Sequence, residues 1–355
     1  MRAGTRDTEL GTRTPKTESK TPSPESRTLT DRAILFLQLG GPENLDEVPG
    51  FLYRLFSDPD VIRVRPAILR KAIAAAIAIT RKNTSRQLYA SIGGGSPIRR
   101  LTEEQAVGVE LLLRERGKDT VARAAMNCSS PFVEDVVREL AGAGVRRFLA
   151  LPLYPHYSLT TTKGALERAR EAVARYAPGA RFFEIGSWPT HPLFVEAHAE
   201  GIREEIARFP DPRPEAVRLL FSAHSIPKKL VTKEGDPYAN EIEASVRAIR
   251  ERAGGRSPWT LAYQSKLGPV EWLGPATLDV IGRLGREGEK QVLAVPIAFV
   301  TDHVETLYEI DQLFGEAAKK AGIAHFRRTA GLNSRPTFLR ALEDIVLSKT
   351  EFWSQ

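Results

Sequence analysis

Sulfur is nearly missing from this chain: its 355 residues include one cysteine, Cys128, and two methionines. A single thiol excludes a disulfide framework, and alone it cannot hold an iron–sulfur cluster or a cysteine-type zinc site. Long apolar runs are missing too, since none reaches the ~18 residues that span a bilayer. The first 30 residues hold four acids, six bases and almost nothing apolar. They are expected to form a disordered tail rather than a signal or transit peptide. Phosphate-binding glycine patterns are weak, because GGPEN (40–44) has neither the GxGxxG spacing nor a lysine.

What is present fits a soluble globular protein, with 42% hydrophobic and 27% charged residues over a length that allows two domains. The formal net charge of +7 points to an acidic partner: nucleic acid, an anionic membrane surface or a carboxylate-bearing substrate. Cysteine usage points to the reducing cytoplasm.

Apolar runs of strand length alternate with helical patterns. Strands are expected at 33–39, 120–126, 146–153, 181–185, 217–223, 260–264, 291–299 and 323–328. Helices are expected at 102–116, 131–141, 163–176, 192–209, 238–253 and 275–286, with a last one at 335–347. This rhythm predicts an α/β protein of two similar Rossmann-like halves, each a four-stranded parallel sheet flanked by helices, with a cleft between them. The expected organisation is a tail at 1–30, a first domain at 31–188, a second at 189–333, and a C-terminal helical segment at 334–355 packing back on the first domain.

Chemistry gathers where apolar strands break into polar residues, which is where open α/β sheets bind ligands. LLFSAHSIP (219–227) ends a strand on His224, whose plain alternative role is to hydrogen-bond a loop. QVLAVPIAFVTDHVETLYEID (291–311) repeats the design and delivers Asp302, His303, Glu305, Glu309 and Asp311. Asp302 and Glu305 together also read as a helix capping box. That explanation does not reach Glu309, four residues beyond Glu305, where like charges weaken a helix. A ridge of acids kept against that cost suggests cations or protons moving along it, and carboxylate with imidazole suits a loosely held divalent metal such as iron. Aromatics at other strand ends, Tyr154, Tyr157, Tyr263 and Phe299, fit core packing one by one but together outline walls for a large, flat, apolar ligand.

SAHSIP followed by GDPY (235–238), with LGGPE, FLYRLF, GGGSPI, LYPHYS, YQSKLGPVEWLGP and VPIAFVTDHVETLYEID, resembles the ferrochelatases, which insert ferrous iron into a porphyrin in haem synthesis. The resemblance runs in order from about Ile34 to Ala341. It implies two Rossmann-like domains with the porphyrin between them. It assigns His224 to the ring's centre, as acceptor of pyrrole protons or as metal ligand, and Glu305 to the opposite side. Asp302, His303 and Glu309 are implied as an inner metal and proton path on a helix with a π-type turn. Leu39, Phe299 and Tyr263 are implied as porphyrin contacts, Tyr154 as a pocket tyrosine, and Arg81, Tyr89 and Ser96 as groups near the propionates. Departures exist: a lysine that some relatives place near the propionates is Thr84 here, and an arginine–tyrosine pair of the animal enzymes aligns with Asn127 and Cys128.

With Leu159 where cluster-bearing relatives have a cysteine, the resemblance implies no [2Fe–2S] cluster and no permanently bound cofactor. Iron and protoporphyrin IX are the implied substrates, and an apolar Leu39 favours protoporphyrin over coproporphyrin. No nucleic acid partner is expected. Residues 66–82, PAILRKAIAAAIAITRK, read either as an interfacial helix touching an anionic membrane at its inner face or as a buried helix with a basic end. A cobalt chelatase and a two-lobed binding protein are the competing readings of the whole.

Overall fold

The computed structural model describes residue 1 and residues 30–266, 268 and 270–354, so the tail expected at 1–30 lies almost wholly outside the described residues. The first sheet contains β1 (Arg32–Gln38), β2 (Val121–Met126), β3 (Arg147–Pro152) and β4 (Arg181–Glu184). The second contains β5 (Arg218–His224), β6 (Trp259–Gln264), β7 (Gln291–Pro296) and β8 (His325–Arg328). All pairings are parallel, in the orders β2-β1-β3-β4 and β6-β5-β7-β8, so the second half repeats the topology of the first. The eight expected strands are all present, with ends that differ by up to three residues. Central strands such as β7, QVLAVP, are buried along their whole length, as parallel strands covered on both faces must be. The four-residue edge strands β4 and β8 are the half-exposed ones, which limits the pairing surface left open.

Helices cover both faces. In chain order they are α1 (Val48–Ser57), α2 (Ala67–Ser91), α3 (Ile98–Glu115), α4 (Val133–Gly142), α5 (Thr162–Tyr176) and α6 (Pro192–Ile206). There follow α7 (Lys228–Glu234), α8 (Tyr238–Arg252), α9 (Thr277–Arg286), α10 (Gly315–Lys320), α11 (Pro336–Leu347) and α12 (Thr350–Trp353). A π-helix, Glu305–Phe314, runs directly into α10. The outer faces of the two sheets bury separate clusters, one against α4 and α5 and one against α9, α10 and the π-helix. Their inner faces share a single core that takes in α3, α6, α8 and α11. Helix α11 lies against both α3 and α6. Helices α1 and α2 pack together over a small fourth cluster, with Phe51, Phe56 and Tyr89 at its centre and Leu39 and Val304 at its edge.

Two glycine motifs are explained by close approach. Gly40, at φ +88°, turns the chain after β1, and a Cβ there would lie 2.2 Å from Ser129 Oγ. A Cβ on Gly95 would meet the Glu43 carbonyl at 2.1 Å, so GGGSPI docks against the GGPEN turn through bare backbone.

Two buried imidazoles stand in the shared core, His156 at 2% and His198 at 4% exposure, both edge-on to Phe194. Ser245 Oγ donates to the Pro189 carbonyl at 2.6 Å, so His156 Nε2, 2.8 Å away, serves as donor to that hydroxyl. Burial holds both rings neutral, with the His198 neighbour adding to the effect on His156 and Arg335 to that on His198; each pKa falls to about 3. Unfolded, these imidazoles take up protons near 6.5. Their contribution is therefore complete above pH 6.5 and is lost progressively as pH falls toward 3. The urea midpoint of the native protein should drop between pH 6.5 and 4.5 more steeply than that of a His156→Gln, His198→Gln double variant, and equal slopes would show that these imidazoles are not the cause.

Candidate active site

Each sheet has one strand where the order reverses, β1 in the first and β5 in the second, and clefts in parallel sheets open past the ends of such strands. Leu39 follows β1 directly, and His224 is the last residue of β5. The residues expected to face the cleft thus stand at the end of the reversal strand of each sheet.

His224 Nδ1 lies 2.8 Å from Glu305 Oε2, the first residue of the π-helix. Their side chains are 36% and 25% exposed, so the pair faces an open cleft rather than a sealed core. Burial opposes charge on the imidazole, but the Glu305 carboxylate and its hydrogen bond outweigh it, and His224 holds its proton to higher pH than usual. Burial also works against Glu305, yet His224, His303 and the Ser265 hydroxyl hold it ionised, at about 2. With Nδ1–H donating to an ionised carboxylate, the neutral ring presents Nε2 as an acceptor, the arrangement by which a carboxylate fixes an imidazole tautomer. Phe299 stands edge-on to His224 at 6.1 Å and to His303 at 4.4 Å, lining this part of the wall.

Glu309 is behind Glu305. Its carboxylate accepts from Ser265 N at 3.0 Å, Ser265 Oγ at 2.5 Å and Gln264 Nε2 at 3.2 Å. Burial first and the Glu305 charge second push its pKa upward, so adjacent carboxyl groups are driven in opposite directions. Gln264 also donates to the Glu305 carbonyl at 3.2 Å and accepts from Ser222 at 2.6 Å, tying β5, β6 and the π-helix together. Tyr238 Oη donates to the His224 carbonyl at 2.9 Å, while Asp236 accepts from Ser158 Oγ and Leu159 N, both at 2.9 Å. GDPY thus fixes the His224 strand end and the LYPHYS loop of the first sheet at once. Gln264, Ser265 and Tyr238 carry structural jobs that the sequence marked only by membership in polar motifs.

The expected acidic ridge divides into two. Asp302 and Asp311 both close on Arg328 of β8, at 2.8 Å each, and Asp302 also accepts from Thr306, Asn333 and Gly331. Burial disfavours the Asp302 charge, but Arg328 and these donors win and hold it below the usual carboxylate range. Asp302 is thereby held by a guanidinium as well as by neutral donors, whereas Glu309 is met by neutral donors only. The capping box is not formed either: Glu305 reaches His224 instead of the helix start, and it is Thr306 Oγ that accepts from His303 N at 3.0 Å. His303 Nδ1 contacts the Thr301 carbonyl at 3.1 Å, and burial lowers its pKa.

Of the residues expected around the porphyrin, Tyr89 is buried, and burial with the Glu305 charge pushes its phenol upward. Leu39 packs at the edge of the same cluster. Tyr263, at 6% exposure, lies in the shared core against which Phe299 also packs, on the opposite face of β6 from Gln264. Tyr154 is half-buried, packed against the outer cluster of the first sheet. Arg81 is exposed on α2. Ser96 lines a concavity of about 450 Å³ with Arg100, Asp302, Leu307 and Asn333, and neither His224 nor Glu305 is among its lining residues. Among the described residues, no three His, Cys, Asp or Glu side chains gather into a metal cage.

The fold is that of the chelatases. The sirohydrochlorin chelatase SirB from Bacillus subtilis subspecies spizizenii, in complex with cobalt, aligns over 90% of this chain and 95% of its own with a TM-score of 0.50 at 14% identity, a likeness of fold alone. Residues 31–350 match the Ferrochelatase family model. The ferrochelatase of Synechococcus sp. (strain RCC307) is 43% identical over 316 residues, 88% of this chain and 81% of that protein. That of Synechococcus sp. (strain JA-2-3B'a(2-13)) is 44% identical over 321 residues, 90% and 92% of the two chains. The chain belongs to the ferrochelatase family, and its activity is the iron-inserting lyase reaction of haem biosynthesis.

A base must be neutral to accept a proton, so turnover should rise with pH through the raised His224 pKa. Glu305→Gln should move that rising limb of kcat/KM to lower pH, since the main group raising the imidazole is gone while burial remains. An unmoved limb would assign the titration to another group.

Proposed function

We propose that the enzyme inserts ferrous iron into protoporphyrin IX, with His224 as acceptor of pyrrole protons and Glu305 as its partner and first receiver of the metal. The observation that carries this is the 2.8 Å His224–Glu305 pair, open to the cleft at the strand end where the sheet order reverses. Insertion breaks two pyrrole N–H bonds, forms the iron–nitrogen bonds and releases two protons. Nε2 of a neutral His224 can take one of these, and the negative charge of Glu305 stabilises the imidazolium that results. Apolar groups such as Phe299 and Leu39 suit the faces and edge of the macrocycle. His303 and Glu309 remain proposed members of the metal and proton path, whereas Asp302 is reassigned to the Arg328 brace.

No bound cofactor is needed in this proposal. The single cysteine is buried, and burial pushes its thiol up to about 12, which is the wrong donor set and the wrong ionisation for an iron–sulfur cluster. His224→Ala should abolish insertion while porphyrin binding, followed by fluorescence, persists; near-normal turnover would remove His224 from the mechanism. The choice of porphyrin rests on Leu39, because an apolar wall favours vinyl groups over carboxylates that would be stranded against it. Comparison of kcat/KM should favour protoporphyrin IX over coproporphyrin, and Leu39→Tyr should narrow the ratio.

We extend the proposal to a peripheral contact with an anionic membrane at the cytoplasmic face. Helix α2 exposes Ile68 at 82% and Ile79 at 67%, and Ala72 and Ala76 complete an apolar stripe on the same face. Lys71 and Lys82 flank that stripe and are exposed, which is the composition of an interfacial helix. Among the described residues no helix is long and apolar enough to cross a membrane. Vesicles containing phosphatidylserine should sediment the protein at low salt and release it as salt rises, and an Ile68→Ser, Ile79→Ser variant should bind less. Equal sedimentation with neutral vesicles at all salt concentrations would remove the electrostatic part of this reading.

A further inference from the structure

We propose that Ser265 is a positioning residue for metal insertion, its hydroxyl tying the Glu305 and Glu309 side chains together so that Glu305 stays turned toward His224. Ser265 follows β6 directly and has φ +65°, in the left-handed region where a side chain is disfavoured and glycine or asparagine would sit more easily. A serine kept there has a use for its side chain. That use is visible in where its bonds go. Oγ lies 3.0 Å from Glu305 Oε2 and 2.5 Å from Glu309 Oε2, so its one proton is shared between the two carboxyl groups, and the backbone N–H donates to Glu309 Oε1 at 3.0 Å. None of the three serves the turn itself.

The two glutamates stand four residues apart on the π-helix, where their side chains share a face and like charges repel. Glu305 has two side-chain partners, His224 and Ser265, both on the same oxygen, Oε2. Glu309 is held by Ser265 and Gln264. Among the described residues, Ser265 is the side chain that bonds both carboxyl groups. Without its hydroxyl, Glu305 keeps only the imidazole contact and is free to rotate into the cleft, away from the line Glu309–Ser265–Glu305–His224. Its hydroxyl is spent on the two carboxyl groups, so it acts through Glu305.

The inference rests on the reading of His224 and Glu305 as the acting pair, and its test separates the two. Ser265→Gly removes the hydroxyl while keeping the N–H bond to Glu309 and suits the left-handed backbone. Its thermal midpoint should therefore equal or exceed that of the native enzyme. Steady-state insertion of Fe²⁺ into protoporphyrin should show kcat lowered by about 10-fold or more with KM for porphyrin within about twofold. Ser265→Asn, which tolerates the left-handed backbone and supplies an N–H donor, should recover part of the loss, and Ser265→Cys, with a weak donor of similar size, should recover less. In a Glu309→Gln background, Ser265→Gly should cost less than about threefold, because one of the two groups it joins has already lost its charge. A native kcat for Ser265→Gly, a loss confined to KM, or an equal loss in both backgrounds would each overturn the proposal. His224→Ala assayed alongside distinguishes the causes: normal turnover there sinks the acting pair itself, whereas a dead His224→Ala beside a fully active Ser265→Gly sinks only the role of Ser265.

Discussion

An imidazole and a carboxylate, held 2.8 Å apart at a half-open strand end, set the demands on the second sheet. Two ionisable groups so placed repay their loss of water only if each is aimed correctly and its remaining oxygens are met. His224 is aimed by the Tyr238 hydroxyl on its carbonyl, and the carbonyl of Glu305 is met by Gln264. The π-helix carrying Glu305 is itself braced by Arg328, which grips Asp302 just before it and Asp311 within it. Widening the helical turn costs backbone hydrogen-bond geometry. That brace, together with Ile310 and Phe314 in the outer core, offsets the cost and keeps the carboxylates where the cleft needs them.

Much of this was legible in the chain. Continuous apolar runs gave all eight strands, because parallel strands covered on both faces need no polar alternation. The abrupt change from LLF to SAHS and from IAFV to TDHVE marked the candidate site, since a strand end opening on a cleft has reason to change character so sharply. Long-range pairings stayed hidden. Asp302 reads as part of an acidic ridge until Arg328, on an edge strand 26 residues later, takes its Oδ1. The capping-box pattern matched at Asp302 and Glu305, but a capping glutamate must turn back to its own helix start, and here an imidazole from another strand competes and wins.

Strand parity separates Tyr263 from Gln264. Tyr263 and Gln264 are neighbours in sequence, yet they project to opposite faces of β6, so only Gln264 reaches the glutamates while Tyr263 enters the core. An aromatic residue at a strand end signals a wall only when the register is known. Likewise, nothing in the sequence marks Ser265 as left-handed, because serine has no strong preference for that region. Backbone conformation at such a position is decided by the partners that its side chain finds.

The arrangement also bears on how an enzyme handles a metal that it must give away. A site of three converging ligands would bind iron tightly before the porphyrin arrived, and tight ground-state binding adds to the barrier for release. Among the described residues no such cage exists, and Glu309 and Asp302 are both engaged with protein donors. Glu305 is the carboxylate left ionised and open to the cleft, but its Oε2 is shared with His224 and Ser265. In the proposed role of Glu305, iron meeting this group would find one negative charge and an incomplete ligand set. The porphyrin nitrogens would then supply what the protein withholds, so the gain in coordination would fall on the product side of the reaction, where it would drive transfer rather than storage.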